Sequence, residues 1–172
     1  TRQAIKLKPN FAKAHSNLGN ILSDLDKLKE AELSTRQAIK LKSDFAEAYS
    51  NLGKILRDLG ELKEAELVTR EAIKLKPKLT NAYYNLGLIL MDLGNPIEAE
   101  VMTLKAIAIK PDFANAHYTL GNILSYLGKS KEAFDAYLKA VKYNPNLSNI
   151  YTSITGFLKD SDLSNLNSLE LK

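Results

Sequence analysis

The amino-acid sequence predicts an all-α fold in which helix pairs stack side by side as a solenoid, and three observations carry that expectation. Residues 14–22 read AHSNLGNIL, and close copies recur as AYSNLGKIL from 48, AYYNLGLIL from 82 and AHYTLGNIL from 116, always 34 positions apart. One helix pair cannot cover its own apolar face, whereas stacked pairs share a continuous core, so a repeat of this length points to an array. Within each copy the apolar residues fall at helical spacing, as in Ala14, Leu18, Ile21 and Leu25. Glycine and proline then punctuate the copies at fixed offsets, where helices turn and stop.

Residues 1–11 match residues 35–45 and are expected to form the second helix of a truncated preceding copy. Full copies follow at 12–45, 46–79, 80–113 and 114–147, the first two with roughly two-thirds of their residues identical. In the first helix of copy one, His15, Leu18, Gly19 and Leu22 form a second stripe beside the alanine–leucine one. The turn between helices holds Gly60, Gly94 and Gly128, with Asp26 in copy one, and glycine there permits a left-handed turn residue. Pro96 stands where a second helix would begin, a favoured place for proline. Second helices carry their own stripe, Ala31, Thr35, Ala38 and Leu41 in copy one, and Pro9, Pro77, Pro111 and Pro145 close the copies. Residues 148–172 form a degenerate half copy: Tyr151, Ile154 and Leu158 keep core spacing, after which SDLSNLNSLELK reads as a short cap or as a linker. Thr1 falls inside a helical pattern with no initiator Met, so the chain is expected to be part of a longer one.

Composition bounds the function. With 45% hydrophobic and 26% charged residues among 172, wholesale disorder is excluded. The absence of cysteine excludes disulfides, thiolate metal sites and cysteine nucleophiles, and suits the reducing cytoplasm where the protein is expected to reside. No apolar run approaches the roughly 18 residues of a membrane helix, so no membrane partner is expected. The net charge of +4 comes from lysines spread along the repeats. Glu30, Glu32, Glu64 and Glu66 lie near the starts of second helices and Lys40, Lys42, Lys74 and Lys76 near their ends, as the helix dipole favours. These lysines lack interleaved aromatics, so nucleic acid is not an expected partner.

A 34-residue helix–turn–helix with the pattern A-x-x-x-L-G-x-x-L, a turn glycine, small residues on the second helix and a closing proline resembles the tetratricopeptide repeat (TPR) family. The pairs Leu18–Gly19, Leu52–Gly53, Leu86–Gly87 and Leu120–Gly121 carry the resemblance, with Ala31, Ala65, Ala99 and Ala133 and then Ala38, Ala72, Ala106 and Ala140. It implies a right-handed superhelix of antiparallel helix pairs, with first helices lining a concave groove. The wording is most similar to the superhelical TPR region of O-linked N-acetylglucosamine transferases and to bacterial TPR proteins. There are departures. Thr35, Thr69 and Thr103 stand where the family often has a large aromatic, which only Tyr137 supplies; this implies tighter helix packing with threonine hydroxyls bonded to their own helix.

Subtracting the packing positions leaves one face of each first helix. In copy one it holds Lys13, Ser16, Asn17, Asn20, Ser23 and Asp24, at spacings that share a side. One of these positions barely changes: Asn17, Asn51 and Asn85, then Thr119 and Ser153. An asparagine amide both donates and accepts, so a row of them can bond an extended backbone, as in the asparagine ladder of the resembled transferases. The alternative is that each amide bonds a neighbouring repeat or its own helix. The rest of the face grades along the chain, from Ser16 and Asn20, through Ser50, Lys54 and Arg57, to Tyr84, Leu88 and Met91, and then to Tyr118, Asn122 and Tyr126. An exposed apolar cluster marks contact surfaces, and Tyr84, Leu88 and Tyr118 are candidate seats for a partner's anchor, the alternative being contact with an absent repeat or a second copy of the chain. The clamp by which some TPR domains hold chaperone carboxylates needs basic residues that Tyr84 and Leu88 replace.

No catalytic constellation emerges: His15 and His117 sit on the packing stripe, and no phosphate loop, nucleophile elbow or H-E-x-x-H motif is present. No cofactor or metal is expected. The sequence reads as a non-catalytic module that binds a peptide or protein segment in its concave groove. The alternatives are the substrate-recognition part of a larger modifying enzyme and a scaffold that self-associates through its end repeats.

Overall fold

A computed structural model describes residues 11–147 and 150–156. The expected preceding helix (1–11) lies outside the described residues apart from Phe11, and so does most of the degenerate half copy. The regular elements among the described residues are all helices: α1 (Ala12–Asp24), α2 (Leu28–Leu41), α3 (Ala46–Asp58), α4 (Leu62–Leu75), α5 (Thr80–Asp92), α6 (Pro96–Ile109), α7 (Ala114–Tyr126), α8 (Ser130–Tyr143) and α9 (Ile150–Thr155). They form two compact units, divided between Ile109 and Lys110. In the first, α1–α2, α3–α4 and α5–α6 are antiparallel pairs stacked in order, as in a TPR solenoid; the second holds the pair α7–α8, with α9 against α8.

Each hairpin is closed the same way. Gly60, Gly94 and Gly128 have φ of +81°, +76° and +74°, and Asp26 takes φ +57° in their place. The N–H of the residue after each donates back into the first helix: Lys27 to the carbonyl of Leu22, Glu61 to Leu56, Asn95 to Leu90 and Lys129 to Leu124, at 2.8–2.9 Å. This is the long bond of a Schellman ending, which satisfies a carbonyl that a helix terminus leaves open. The second helix starts at once, with Pro96 as the first residue of α6.

Packing within a pair depends on the glycine of each first helix. A Cβ on Gly53 would collide with Thr69 Oγ1, and one on Gly19 with Thr35 Oγ1. The threonines bond to their own helix as the sequence predicts, Thr35 Oγ1 to the Ala31 carbonyl at 2.8 Å and Thr69 Oγ1 to that of Ala65 at 2.7 Å. Thr103 differs: its hydroxyl is buried without a partner. In the second unit Tyr137 fills the same place, its ring within 2.9 Å of where a Gly121 Cβ would stand.

Between pairs the core is continuous within the first unit. Leu52, Leu56, Ala65 and Ile89 cluster with Ile39 and Leu93, so three successive pairs share one apolar group. Ile55 joins Leu22 and Ala31 in the same manner. Each fully buried leucine or isoleucine contributes about 1.5–3 kcal/mol. In α9, Ile150 and Ile154 are buried and Tyr151 is 43% exposed, so the inward stripe runs one residue earlier than the spacing of Tyr151 and Ile154 predicts. Residues 150 and 154 are one turn apart and occupy one face, whereas 151 lies about 100° round the helix.

Candidate functional site: a groove of first-helix amides

In the first unit α1 and α3 lie next to one another and, with the start of α5, enclose a groove of ≈ 670 Å³. Asn17, Asn20 and Asn51 line it. Asn17 and Asn20 are exposed and Asn51 is half-buried. Ser16 and Ser50, which belong to the same helical face, are 3% and 2% exposed and form the floor rather than the rim. This depth has a bonding reason. Asn51 Nδ2 donates to Ser16 Oγ at 3.3 Å, and Asn85 Nδ2 donates to Ser50 at both its carbonyl (3.1 Å) and its hydroxyl (3.2 Å). Each amide therefore spans to the preceding repeat, the arrangement the sequence leaves open as the alternative to peptide contact. It uses the amide's donor side, so the carbonyl Oδ1 of Asn51 and Asn85 enters no bond in this pattern.

The basic candidates also meet neighbours in the chain. Arg57 Nε donates to Asp92 on α5, and Lys54 Nζ lies 3.5 Å from Ser23 Oγ and 3.9 Å from Asp24 on α1. They link successive first helices, so part of their charge is spent within the stack. Tyr84, Leu88 and Met91 of α5 are half-buried rather than exposed, which reduces the open apolar surface expected there. In the second unit, Tyr118 packs against Tyr137 with ring centroids 5.8 Å apart and its hydroxyl 3.5 Å from Ser153 Oγ. Asn122 Oδ1 accepts a 2.8 Å hydrogen bond from the Tyr137 hydroxyl, and burial pushes the Tyr137 phenol above its ordinary pKa. Thr119, in the asparagine row by sequence, is buried.

Other residues of the groove do not follow from first-helix periodicity. Phe11, Phe45 and Leu79, each immediately preceding a first helix, contribute to its wall, as do Lys13, Lys42 and Asn81. Their signal in the sequence is positional: 11, 45, 79 and 113 are the last residues of successive copies, and all are large and apolar. Lys42 Nζ sits 5.4 Å from the Phe45 ring centroid, and Lys110 repeats this over Phe113 at 5.5 Å.

Tetratricopeptide repeat models match residues 12–45 and 80–113, and another matches 114–147; a TPR repeat model matches 53–94. The chain belongs to the tetratricopeptide repeat family. Crystal structures of TPR proteins share its fold. That of TTC0263, a thermophilic TPR protein from Thermus thermophilus, aligns at TM-score 0.79, with 20% identity over 91% of this chain and 86% of that one. MamA aligns at 0.71, with 28% identity and 84% of each chain covered. YrrB, described as a TPR protein with an unusual peptide-binding site, aligns at 0.69 with 22% identity over 91% of this chain and 80% of that one. No curated protein sequence matches the chain significantly.

As a TPR chain, it uses His117 for packing. His117 is buried, donates from Nε2 to the Pro111 carbonyl at 2.8 Å and lies against Tyr143 with centroids 5.3 Å apart. The backbone carbonyl of His15 accepts from Ser34 Oγ at 2.9 Å. Among the described residues no group of histidine and carboxylate side chains is placed to hold a metal ion, and no helix is long and apolar enough to cross a membrane.

Proposed function

We propose that this TPR chain is a non-catalytic module that holds an extended peptide or protein segment along its first helices, centred in the first unit. The observation that carries this reading is the row of amides at the groove: Asn17 and Asn20 open to it, Asn51 on its wall, and Asn85 in the same register one repeat on. The serine bonds are the arrangement that competes with peptide contact, but they use only the donor side of each amide and so remain compatible with the reading. A side chain already held by its neighbour loses less rotamer freedom when a ligand arrives, so the row is preorganised. With Nδ2 turned to the serine, Oδ1 is the atom presented to a ligand N–H, and the row selects extended backbone rather than side chains. The unusual peptide-binding site of YrrB, a structural relative, is in keeping with such a role. Lys54 and Arg57, then Tyr84, Leu88 and Met91, extend the same face toward α5, and Tyr118 and Asn122 offer a smaller surface in the second unit.

The test is binding of an array of random 12-residue peptides. Binders are expected, and Asn17→Ala is expected to weaken them several-fold without lowering the melting temperature, because Asn17 is exposed. An array without binders, or binders indifferent to Asn17 and Asn51, would refute the groove.

A further inference from the structure

We infer that the segment held in the first unit carries an acidic side chain beside an aromatic or aliphatic one, and that these bind at the Phe11–Phe45–Leu79 end of the groove. This rests on the peptide reading above and adds the chemistry of the ligand. The amides recognise backbone alone, so selectivity must come from the rest of the wall. That wall holds three ionisable side chains, Lys13, Lys42 and Glu47. Glu47 is already neutralised: Lys76 Nζ lies 2.6 Å from its carboxylate, and that hydrogen bond holds the carboxyl below its ordinary pKa. Lys13 and Lys42 form no salt bridge among the described residues; Lys42 rests on the Phe45 ring, and its charge adds a lesser contribution to that of Lys76 on the Glu47 carboxyl. The balance of the wall is therefore positive, and a carboxylate is its complement.

The apolar part lies at the same end. Phe11 is 45% exposed although it directly precedes a helix, and Phe45 and Leu79 are half-buried at the equivalent positions of the next two repeats. A lysine stacked on an aromatic ring next to open apolar surface suits a ligand whose carboxylate and ring or aliphatic group lie close together, since both then leave water at one place. Asn81 adds a further amide at the rim. A basic ligand would instead meet Lys13 and Lys42 with no free carboxylate to answer it.

The experiment uses the same array of random 12-residue peptides, scored for composition. Binders are expected to be enriched in Asp or Glu adjacent to Phe, Tyr, Leu or Ile. Fluorescein-labelled peptides made from the enriched sequence are then compared with versions bearing Lys for the acid and Ala for the apolar residue. Each change is expected to weaken binding about tenfold, and raising salt is expected to weaken only the acidic peptide. The double variant Lys13→Glu/Lys42→Glu, both on the surface, is expected to lose the preference for acid and to favour the lysine peptide, with an unchanged melt. Asn51-dependent binders without acidic or apolar enrichment would overturn this inference and leave the groove reading standing. If no peptide binds, or if binding ignores Asn17 and Asn51, both fall.

Discussion

At the scale of single residues, the stack is governed by the contact between a first-helix glycine and a second-helix hydroxyl. Thr69 and Thr103 occupy equivalent places yet differ in bonding, and this yields a paired prediction. Thr69→Val removes a made hydrogen bond and is expected to cost about 1 kcal/mol, whereas Thr103→Val replaces a buried, unpaired hydroxyl and is expected to be neutral or stabilising. Urea melts of the two variants decide it; equal losses would contradict the assignment. Gly53→Ala is expected to cost about 1–3 kcal/mol through its collision with Thr69, with part of that loss recovered in Gly53→Ala/Thr69→Ala. At the hairpin, Asp26→Gly relieves a left-handed residue and is expected to stabilise by about 0.5–1 kcal/mol. Gly60→Ala, which has open space but φ +81°, is expected to lose about 1 kcal/mol. The turn is legible in the sequence because only a few residue types accept that geometry. The unpartnered Thr103 is not, because Thr35, Thr69 and Thr103 look alike until distances separate them.

At the scale of elements, successive helices are joined by polar bridges that a single-helix reading cannot see. Arg36 bonds Glu32 on its own helix and Glu64 on α4, and Arg70 bonds Glu66 and Glu98 in the same way, all at 2.7–2.9 Å. Sequence reasoning assigns Glu32, Glu64 and Glu66 to the helix dipole, which their positions satisfy as well; the second partner of each arginine lies 28 residues away and has no local signature. These pairs are only partly buried and stay open to solvent screening, so Arg70→Ala is expected to cost under about 1 kcal/mol, and less still in molar salt. Glu47 gives a pH-dependent case. Lys76 holds its carboxyl below the ordinary 4.5 in the folded chain, so the bridge contributes above that pH and is lost as pH falls through the lower folded value. The stability difference between the wild type and Glu47→Gln is expected to be at most about 1 kcal/mol at neutral pH and to vanish in acid; a difference that grew on acidification would show that Lys76 is not the cause. The asparagine row behaves alike: a 34-residue period places Asn17, Asn51 and Asn85 on one face, but only coordinates reveal that Ser16 and Ser50 lie beneath and bond the next amide along.

At the scale of the molecule, the period specifies the architecture almost completely, since a repeated pair has one way to bury its leftover face. It specifies the groove only in part. The amides stand out because they vary least along the face, whereas Phe11, Phe45 and Leu79 read first as the ends of copies and only in three dimensions as a wall. Because Leu56 packs with Ile39 before it and Ile89 after it, Leu56→Ala is expected to destabilise the first unit by about 2–5 kcal/mol and to lower hydrogen-exchange protection in α1 to α6 together. The central claim is that first-helix amides hold a guest backbone, and one measurement tests it most directly. It is the dissociation constant of an array-selected 12-residue peptide for the wild type and for Asn17→Ala/Asn51→Ala/Asn85→Ala, at a temperature where both are folded by their melts. Three lost hydrogen bonds predict at least about tenfold weaker binding; equal affinities would show that the groove does not grip backbone through its asparagines.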